Sequence, residues 1–196
     1  IPRAVATDDL RQVMRLTLTR ELAPALHASS YSAWKSISST MGEDAVISGF
    51  REQARVVCVG VKAIISRCIE ENSSVIIDGV HLISDLLELE TYAGDAFITP
   101  VCLGLPDREA FEGRFAQRAS EAPARPMHRY LEHLDEILKI QDYLIETSTA
   151  PGIPVITTST VESLTSKVSM VVSEQLQEQE EIKKALNADR KGRKKQ

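Results

Sequence analysis

Residues 74–82 read SVIIDGVHL and give the clearest indication of the fold. Residues 74–77 are compatible with a short buried strand, which Asp78 closes and after which Gly79 allows a sharp turn. Burying a carboxylate costs several kcal/mol unless a cation or hydrogen-bond donors meet it. Because ligands bind at the carboxyl ends of the strands in parallel α/β sheets, Asp78 is a candidate site residue.

Strand patterns alternate with helical patterns of ten or more residues along the chain. Strands are predicted at 3–6 (RAVA), 74–78, 96–105 and 154–158 (PVITT). The longest helix is predicted over 46–71, where apolar residues recur at helical spacing: Phe50, Val57, Val61, Ile64 and Cys68. This alternation favours an α/β domain with a mostly parallel sheet.

Shorter helices are predicted around these strands. Thr7 or Asp8 is expected to cap a helix after the first strand, and Ser84 to cap another. Further helices are expected at 106–120, from Met127 onward as one long amphipathic helix, and over 161–178.

The composition is that of a soluble globular domain. The chain has 196 residues, 43% of them hydrophobic, with a mean hydropathy of −0.13. No apolar run approaches the length of a membrane span and no signal peptide is recognisable, so we expect a cytoplasmic location and no membrane partner. Cys58, Cys68 and Cys102 form no CxxC pair, which favours buried reduced thiols over disulfides or zinc ligands.

The net charge of −5 is unevenly distributed. From Ile182 onward there are seven Lys or Arg and one Asp, a local charge of +6, so the preceding residues carry −11. The acidic body disfavours nucleic acid as a partner. We therefore expect one domain over residues 1–180 and a basic, disordered tail over 181–196.

Asp8 and two arginines form a second candidate constellation. Asp8 follows the first strand, so a parallel sheet would present Asp8 and Asp78 at one edge. Arg11 and Arg15 are four residues apart and share a helix face. An acid that accepts a hydroxyl proton and two guanidiniums that bind an anion would form an acceptor pocket. The alternative is a capped helix with a solvated basic face.

A third constellation is a series of arginines: Arg108, Arg114, Arg118, Arg125 and Arg129. The break SEAPARP divides the series, which is compatible with a mobile helical lid whose arginines neutralise a transferring phosphoryl group. The alternative is a surface helix with Glu109, Glu112 and Glu121 as ion-pair partners. Asp78 itself could hold Mg²⁺, or could only form a turn. Neither GxxxxGK[ST] nor GxGxxG occurs in the chain.

Several blocks, taken together and in this order, resemble the 2-phosphoglycerate kinase family of P-loop kinases. They are TDDLRQVMR, LHASSYSAW, GFREQARVVCVGVKAII, SVIIDGVHL, ILKIQDYL and GIPVI, and the resemblance extends from about Ala6 to Val172. It implies a three-layer P-loop kinase-like fold and phosphoryl transfer from ATP, with Mg²⁺, to the hydroxyl of 2-phosphoglycerate, giving 2,3-bisphosphoglycerate.

The resemblance also assigns roles to individual residues. Asp78 would be the Walker B acid and the metal ligand, although many relatives have Glu there, which leaves direct or water-mediated metal contact open. Together with the constellations described above from the residues, the resemblance makes Asp8, Asp78, Arg114 and Arg118 the candidate catalytic residues. The candidate substrate-binding residues are Arg11, Arg15, His81 and Arg125. His81 matches the family's GVH, where packing of the loop is the alternative role.

The family's Walker A strand, loop and helix would lie immediately before Ile1. We therefore expect a family member that lacks its N-terminal segment, with the first strand absent, and negligible turnover by these 196 residues alone. Two other possibilities stay open: a kinase for another phosphorylated small molecule such as a polyol phosphate, and a non-catalytic binding protein.

Overall fold

A computed structural model describes residues 3–37, 44–121, 127–158 and 160–193. It contains four short strands, β1 (Arg3–Ala6), β2 (Val75–Asp78), β3 (Cys102–Gly104) and β4 (Val155–Thr157). The α-helices are α1 (Thr7–Thr17), α2 (Ala45–Glu70), α3 (Ser84–Leu87), α4 (Arg108–Glu121), α5 (Met127–Leu131), α6 (Leu134–Thr149) and α7 (Val161–Arg193). Two 3-10 segments, Pro24–His27 and Ser30–Ser36, lie between α1 and α2.

The strands form two separate parallel pairs. β1 pairs with β2, with Arg3 opposite Val75 and Ala6 opposite Asp78. β3 pairs with β4, with Cys102 opposite Val155. The α/β class and the parallel pairing are confirmed, but among the described residues the strands do not join into one continuous sheet.

Among the residues that the structure describes, strand β2 is covered on one of its two faces. Ile77 packs against the core cluster beneath α2, whereas the side chain of Ile76, on the other face, is 57% exposed. Asp78 is also exposed. The expectation of a buried strand is therefore wrong, because alternate residues of a strand face opposite sides and, among the described residues, one side carries a helix layer.

Helix α2 is the centre of the fold, as its apolar period predicts. Asp44 caps the helix by accepting the N–H of Val46 at 2.9 Å and of Ile47 at 3.3 Å. The first half of α2 packs against α3 and α6 through Phe50 and Ala54. Its second half, through residues that include Val57, Cys58 and Val61, packs against α1, α3 and the first 3-10 segment. A third cluster, Phe111, Phe115 and Leu134, joins α4 to α6.

The predicted strand 96–105 is mostly not a strand. Only Cys102–Gly104 pairs with a neighbour, and Pro100 has no N–H to donate to a ladder. Side chains of α7 take the place of a partner strand. Gln179 accepts the N–H of Ile98 at 3.2 Å and donates to its carbonyl at 2.8 Å, and Gln175 donates to the carbonyl of Pro100 at 3.3 Å.

Several local expectations are also corrected. The long helix predicted from Met127 is divided, because α5 ends at Leu131 and α6 begins at Leu134. Neither Thr7 nor Asp8 caps α1, since Ala6 occupies the cap position without a side-chain hydrogen bond. Ser84 does not cap α3 either, and its hydroxyl donates to the carbonyl of Thr147 at 3.1 Å.

The C-terminal helix α7 runs to Arg193 and so continues into the segment 181–196. The domain boundary at residue 180 stays a prediction. No helix in the described part of the chain combines the length and apolarity needed to cross a membrane. The three cysteines are free, with Cys58 and Cys68 buried and Cys102 half-buried.

Candidate active site

The carboxyl ends of β1 and β2 meet at one edge. Because Ala6 lies opposite Asp78 in the parallel register, Asp8, in the first turn of α1, follows at the edge that Asp78 closes. The predicted placement of these two acids at one edge is confirmed. Both carboxylates are solvent-exposed, and among the described residues Asp78 has neither an ion pair nor a hydrogen bond from a side chain. An exposed, unpartnered acid at a strand end is available to a ligand.

Arg11 lies beside this edge and is largely committed to the protein. Its Nη1 donates to the carbonyl of Ala28 at 2.7 Å and lies 3.4 Å from that of Leu26. Its Nε is 3.4 Å from a carboxylate oxygen of Asp8, and only 17% of its side chain is exposed. Arg11 therefore ties α1 to the 3-10 segments.

Gly79 brings the loop after β2 into close contact with the start of α1. Its φ of +137° is a conformation that side chains rarely permit, and a Cβ there would lie 1.8 Å from Thr7 Oγ1. Because residue 79 has no side chain, the loop after β2 can reach the first turn of α1. This close approach brings His81, two residues later, next to Thr7.

His81 is fully buried in a polar network. Its Nδ1 lies 2.9 Å from Thr7 Oγ1, and its Nε2 lies 3.0 Å from Gln53 Oε1 and 3.4 Å from Ser30 Oγ. Thr7 and Gln53 are also 0% exposed. The backbone carbonyl of His81 accepts the Cys58 thiol at 3.2 Å, and burial raises the pKa of that thiol. With both ring nitrogens engaged, the geometry supports the packing role for His81.

The hydrogen-bond partners determine the tautomer of His81. Gln53 Nε2 donates to the carbonyls of Ala25 at 2.6 Å and Ala28 at 3.0 Å, so its Oε1 faces the imidazole as an acceptor. His81 Nε2 must then carry the proton, and Nδ1 accepts the Thr7 hydroxyl. Burial lowers the pKa of His81 to about 4, with the charge of Asp8 opposing and that of Arg11 adding to this effect. The ring is therefore neutral near pH 7.

Gln53 and Ser30 were not identified from the sequence. Ser30 donates to Gln53 Oε1 at 2.7 Å, which completes the hydrogen bonding of the amide. The sequence does contain an indication of Gln53. It lies three residues after Phe50 and four before Val57, so helical spacing places this polar residue on the core face of α2. A polar side chain at such a position requires buried partners.

Helix α5 closes the other side of the 3-10 segments. Arg129 Nη2 donates to Ser29 Oγ at 3.3 Å. Tyr31 stacks on His133 with ring centroids 4.8 Å apart and meets the edge of Tyr130 at 6.3 Å. Hydroxyl groups and a guanidinium thus lie next to the buried network, an arrangement that suits an anionic ligand carrying hydroxyls.

Among the described residues, no hydrogen bond or ion pair joins the remaining predicted arginines to this network. Arg15 donates to Gln12 within α1, and Arg108 pairs with Asp135. Arg114 donates to Gln117 at 3.2 Å and, like Arg118, is exposed on α4. Arg125 and the break at 122–126 lie outside the described residues. The roles predicted for all of these arginines stay predictions.

The acidic edge is compatible with a magnesium ion held partly by a ligand. Within the described ranges no three His, Cys, Asp or Glu side chains converge as a metal site. Magnesium in phosphoryl-transfer sites is commonly bound by only one or two carboxylates together with substrate phosphates and water. Asp78, exposed at the strand end, and Asp8 beside it fit that pattern.

Comparison with known proteins gives a consistent result. The chain is 35% identical to a 2-phosphoglycerate kinase of Methanocaldococcus jannaschii over 176 residues, covering 90% of this chain and 56% of the relative. It is 35% identical to that of Methanopyrus kandleri, covering 95% and 58%, and 36% identical to that of Pyrococcus horikoshii, covering 86% and 54%. No family model and no solved structure matches the chain.

The chain thus spans somewhat more than half the length of these curated relatives. The similarity extends over nearly all of its own residues, and several relatives from different organisms carry the same name. The chain belongs to the 2-phosphoglycerate kinase family.

Proposed function

We propose that the protein containing this chain transfers a phosphoryl group from ATP to the hydroxyl of 2-phosphoglycerate, giving 2,3-bisphosphoglycerate. The observation that carries the proposal is the similarity to proteins named 2-phosphoglycerate kinase over 86–95% of the chain. The exposed acids at one edge of a parallel strand pair agree with it, since kinases of the P-loop class use such an edge. A P-loop kinase-like fold over residues 1–180 is part of the proposal.

In this proposal the two acids divide the work at the edge. Asp78 would hold Mg²⁺, directly or through water, and Asp8 would accept the proton of the acceptor hydroxyl as its oxygen bonds to the γ-phosphorus and the bond from that phosphorus to the ADP oxygen breaks. Bound Mg²⁺ supplies positive charge that offsets the charge of the phosphates. The Asp8 carboxylate is 69% exposed, so an acceptor can reach it without displacing a buried group.

The proposed substrate contacts are cationic. Arg15, which donates to Gln12 on α1, and Arg129, which donates to Ser29, carry guanidiniums that would meet the phosphate or carboxylate of the acceptor. Arg114 and Arg118 provide exposed guanidiniums for the oxygens of the transferring group. Arg11 acts mainly by holding the segment at Leu26 and Ala28, whose carbonyls its Nη1 already contacts. His81 contributes through its position and not by contact with substrate.

The proposal is tested with the protein expressed from its whole coding sequence. Incubation with ATP, Mg²⁺ and 2-phosphoglycerate should release ADP and produce a new phosphomonoester, and ³¹P NMR should identify the product as 2,3-bisphosphoglycerate. Matched reactions contain 3-phosphoglycerate or glycerol 3-phosphate. Turnover with glycerol 3-phosphate alone would reassign the acceptor to polyol phosphates. ATP binding without transfer to any of the three would contradict the proposal.

A further inference from the structure

We propose that Thr7, His81 and Gln53 are positioning residues that hold residues 24–30 against the acidic edge and so set the distance between the acceptor and the two acids. This inference rests on the proposed function. The first step is connectivity: the chain of hydrogen bonds joins the first turn of α1, the loop after β2, and α2 without a break.

The chain of hydrogen bonds continues into the backbone of the 3-10 segments. Gln53 donates to the carbonyls of Ala25 and Ala28, and Ser30 donates back to Gln53. Arg11 donates to the same Ala28 carbonyl from the side of α1. Residues 25–30 are thus held from two sides by side chains that do not belong to the segment.

The network favours one geometry. Both nitrogens of His81, both groups of the Gln53 amide and the Thr7 hydroxyl each have a partner, so a shift of one member leaves a buried polar group unpaired. A buried polar group without a partner has lost its hydrogen bonds to water and gained none in the protein. Alternative arrangements of the network therefore have a higher free energy and are rare. Apolar side chains of the same shape could fill the space of Thr7, His81 and Gln53. They would not fix the relative positions of the surrounding segments in this way, because apolar contacts are not directional.

The segment that this network holds is the one that presents polar groups beside the edge. Ser29 receives Arg129, and Ser30 is itself a member of the network. A movement of residues 24–30 would therefore displace Ser29, which binds Arg129, and the Ala28 carbonyl, which binds Arg11. Both would change position relative to the two acids at the edge. Displacement of a reacting group by about 1 Å can lower a rate by about a hundredfold.

The test compares Thr7→Val, which keeps the shape and removes the hydroxyl, with Thr7→Ser, which keeps the hydroxyl. In the full-length protein, Thr7→Val should lower kcat/KM for 2-phosphoglycerate by about tenfold to a hundredfold. The KM for ATP should change by less than about threefold, and Thr7→Ser should restore most of the loss. A kcat/KM for Thr7→Val close to that of the wild type, in protein that is fully folded, would overturn the inference.

A second variant covers the case in which Thr7→Val does not fold. Gln53→Met conserves the length of the side chain and removes the amide. Like Thr7→Val, it should lower kcat/KM for 2-phosphoglycerate and leave the KM for ATP nearly unchanged. Equal losses for both substrates would indicate a structural role alone and would overturn the inference.

A readout that needs no substrate separates this inference from the proposed function. If the wild type does not phosphorylate 2-phosphoglycerate, the proposed function fails, and amide hydrogen exchange then decides the inference. Gln53→Met should accelerate exchange at Leu26 and Ala28 by about tenfold or more relative to amides of α6. Unchanged exchange at both amides would show that Gln53 does not hold the segment.

Discussion

The position of a Cβ on Gly79 lies 1.8 Å from Thr7 Oγ1, so the loop after β2 and the start of α1 are in contact at a point where only glycine fits. Gly79→Ala must displace Thr7 and also place alanine at a φ of +137°. Strained backbone and an unpaired His81 nitrogen together should lower the free energy of unfolding by about 2–4 kcal/mol. Urea unfolding near neutral pH measures the change.

A matched glycine provides the control for this prediction. Gly113 lies inside α4, and a Cβ added there would have no heavy atom within 4 Å apart from its chain neighbours and the backbone of its own helix, so Gly113→Ala meets open space. The substitution gains helix propensity and should raise the free energy of unfolding by up to about 1 kcal/mol. The same chemical change thus has opposite signs at the two positions. A stable Gly79→Ala variant would show that the loop can move away from Thr7 at little cost.

His81 should make stability depend on pH. Its pKa is about 4 in the folded protein against an ordinary value of 6.5, so the unfolded chain binds more protons between these values. The contribution of the neutral ring is complete above pH 6.5 and is lost as the pH falls toward 4. The loss amounts to about 3 kcal/mol.

The measurement compares urea unfolding of the wild type and His81→Gln across this pH range. The relevant quantity is the slope of the unfolding free energy against pH, which should be smaller in the variant whatever its stability at neutral pH. The lowered pKa values of Asp44 and Glu71 act in the same direction at lower pH and are common to both proteins. Parallel slopes would show that His81 is not the source.

The sequence predicts elements well where one periodic pattern dominates. The apolar spacing of α2 identifies a helix that the structure places at Ala45–Glu70, and alternation of strands and helices places Asp8 and Asp78 at one edge. Both inferences depend only on local spacing and on parallel connection, so they need no knowledge of distant contacts.

Other features depend on partners far along the chain. Residues 96–101 have the composition of a strand, yet their backbone bonds to Gln175 and Gln179, which lie 75 and 81 positions after their partners. Threonine is a common helix-capping residue, yet the hydroxyl of Thr7 forms a hydrogen bond with His81, 74 residues away. Local propensity cannot identify such competition, because the preferred partner is supplied only by the tertiary fold.

Gln141 should stabilise the second strand pair. Its amide accepts the N–H of Leu105 at 2.8 Å and donates to the carbonyl of Leu105 at 3.1 Å, which continues the hydrogen bonding of β3 past Gly104. Gln141→Leu leaves both backbone groups without this partner and should lower the unfolding free energy by about 1–3 kcal/mol. Gln117→Leu on the exposed face of α4 should change it by less than about 0.5 kcal/mol. Equal effects of the two substitutions would contradict the role of Gln141.

Asp78 should matter for activity and not for stability. In the full-length protein, Asp78→Asn should lower kcat by roughly a hundredfold and raise the Mg²⁺ concentration needed for half-maximal rate, because the carboxylate proposed to hold the metal is lost. Asp78→Glu should retain more activity, since the longer acid can still reach a metal. Asp142→Asn, an exposed acid on α6, serves as the control. Full activity of Asp78→Asn would remove Asp78 from the metal site.

The role of Arg118 can be tested by steady-state kinetics of Arg118→Ala. It is exposed near the end of α4, a helix that packs through Phe111 and Phe115 and reaches the 3-10 segments by way of Tyr130 and Tyr31. A guanidinium that meets negative charge on the transferring oxygens acts in the transition state, so its removal lowers kcat more than it raises KM. Arg118→Ala should therefore lower kcat by about tenfold or more, with Tm unchanged within about 1 °C, since exposed charges contribute little to stability.

A second arginine gives the comparison that Arg118 requires. Arg67 is exposed at the end of α2 and bonds Glu71, which also binds Arg3 at the start of β1. It therefore lies at the amino-terminal edge of the strand pair, away from Asp78. Arg67→Ala removes the same charge at this amino-terminal edge and should leave kcat unchanged. If Arg118→Ala behaves like Arg67→Ala, the guanidinium of Arg118 is ordinary surface charge, and the charge on the transferring group must be met by other residues.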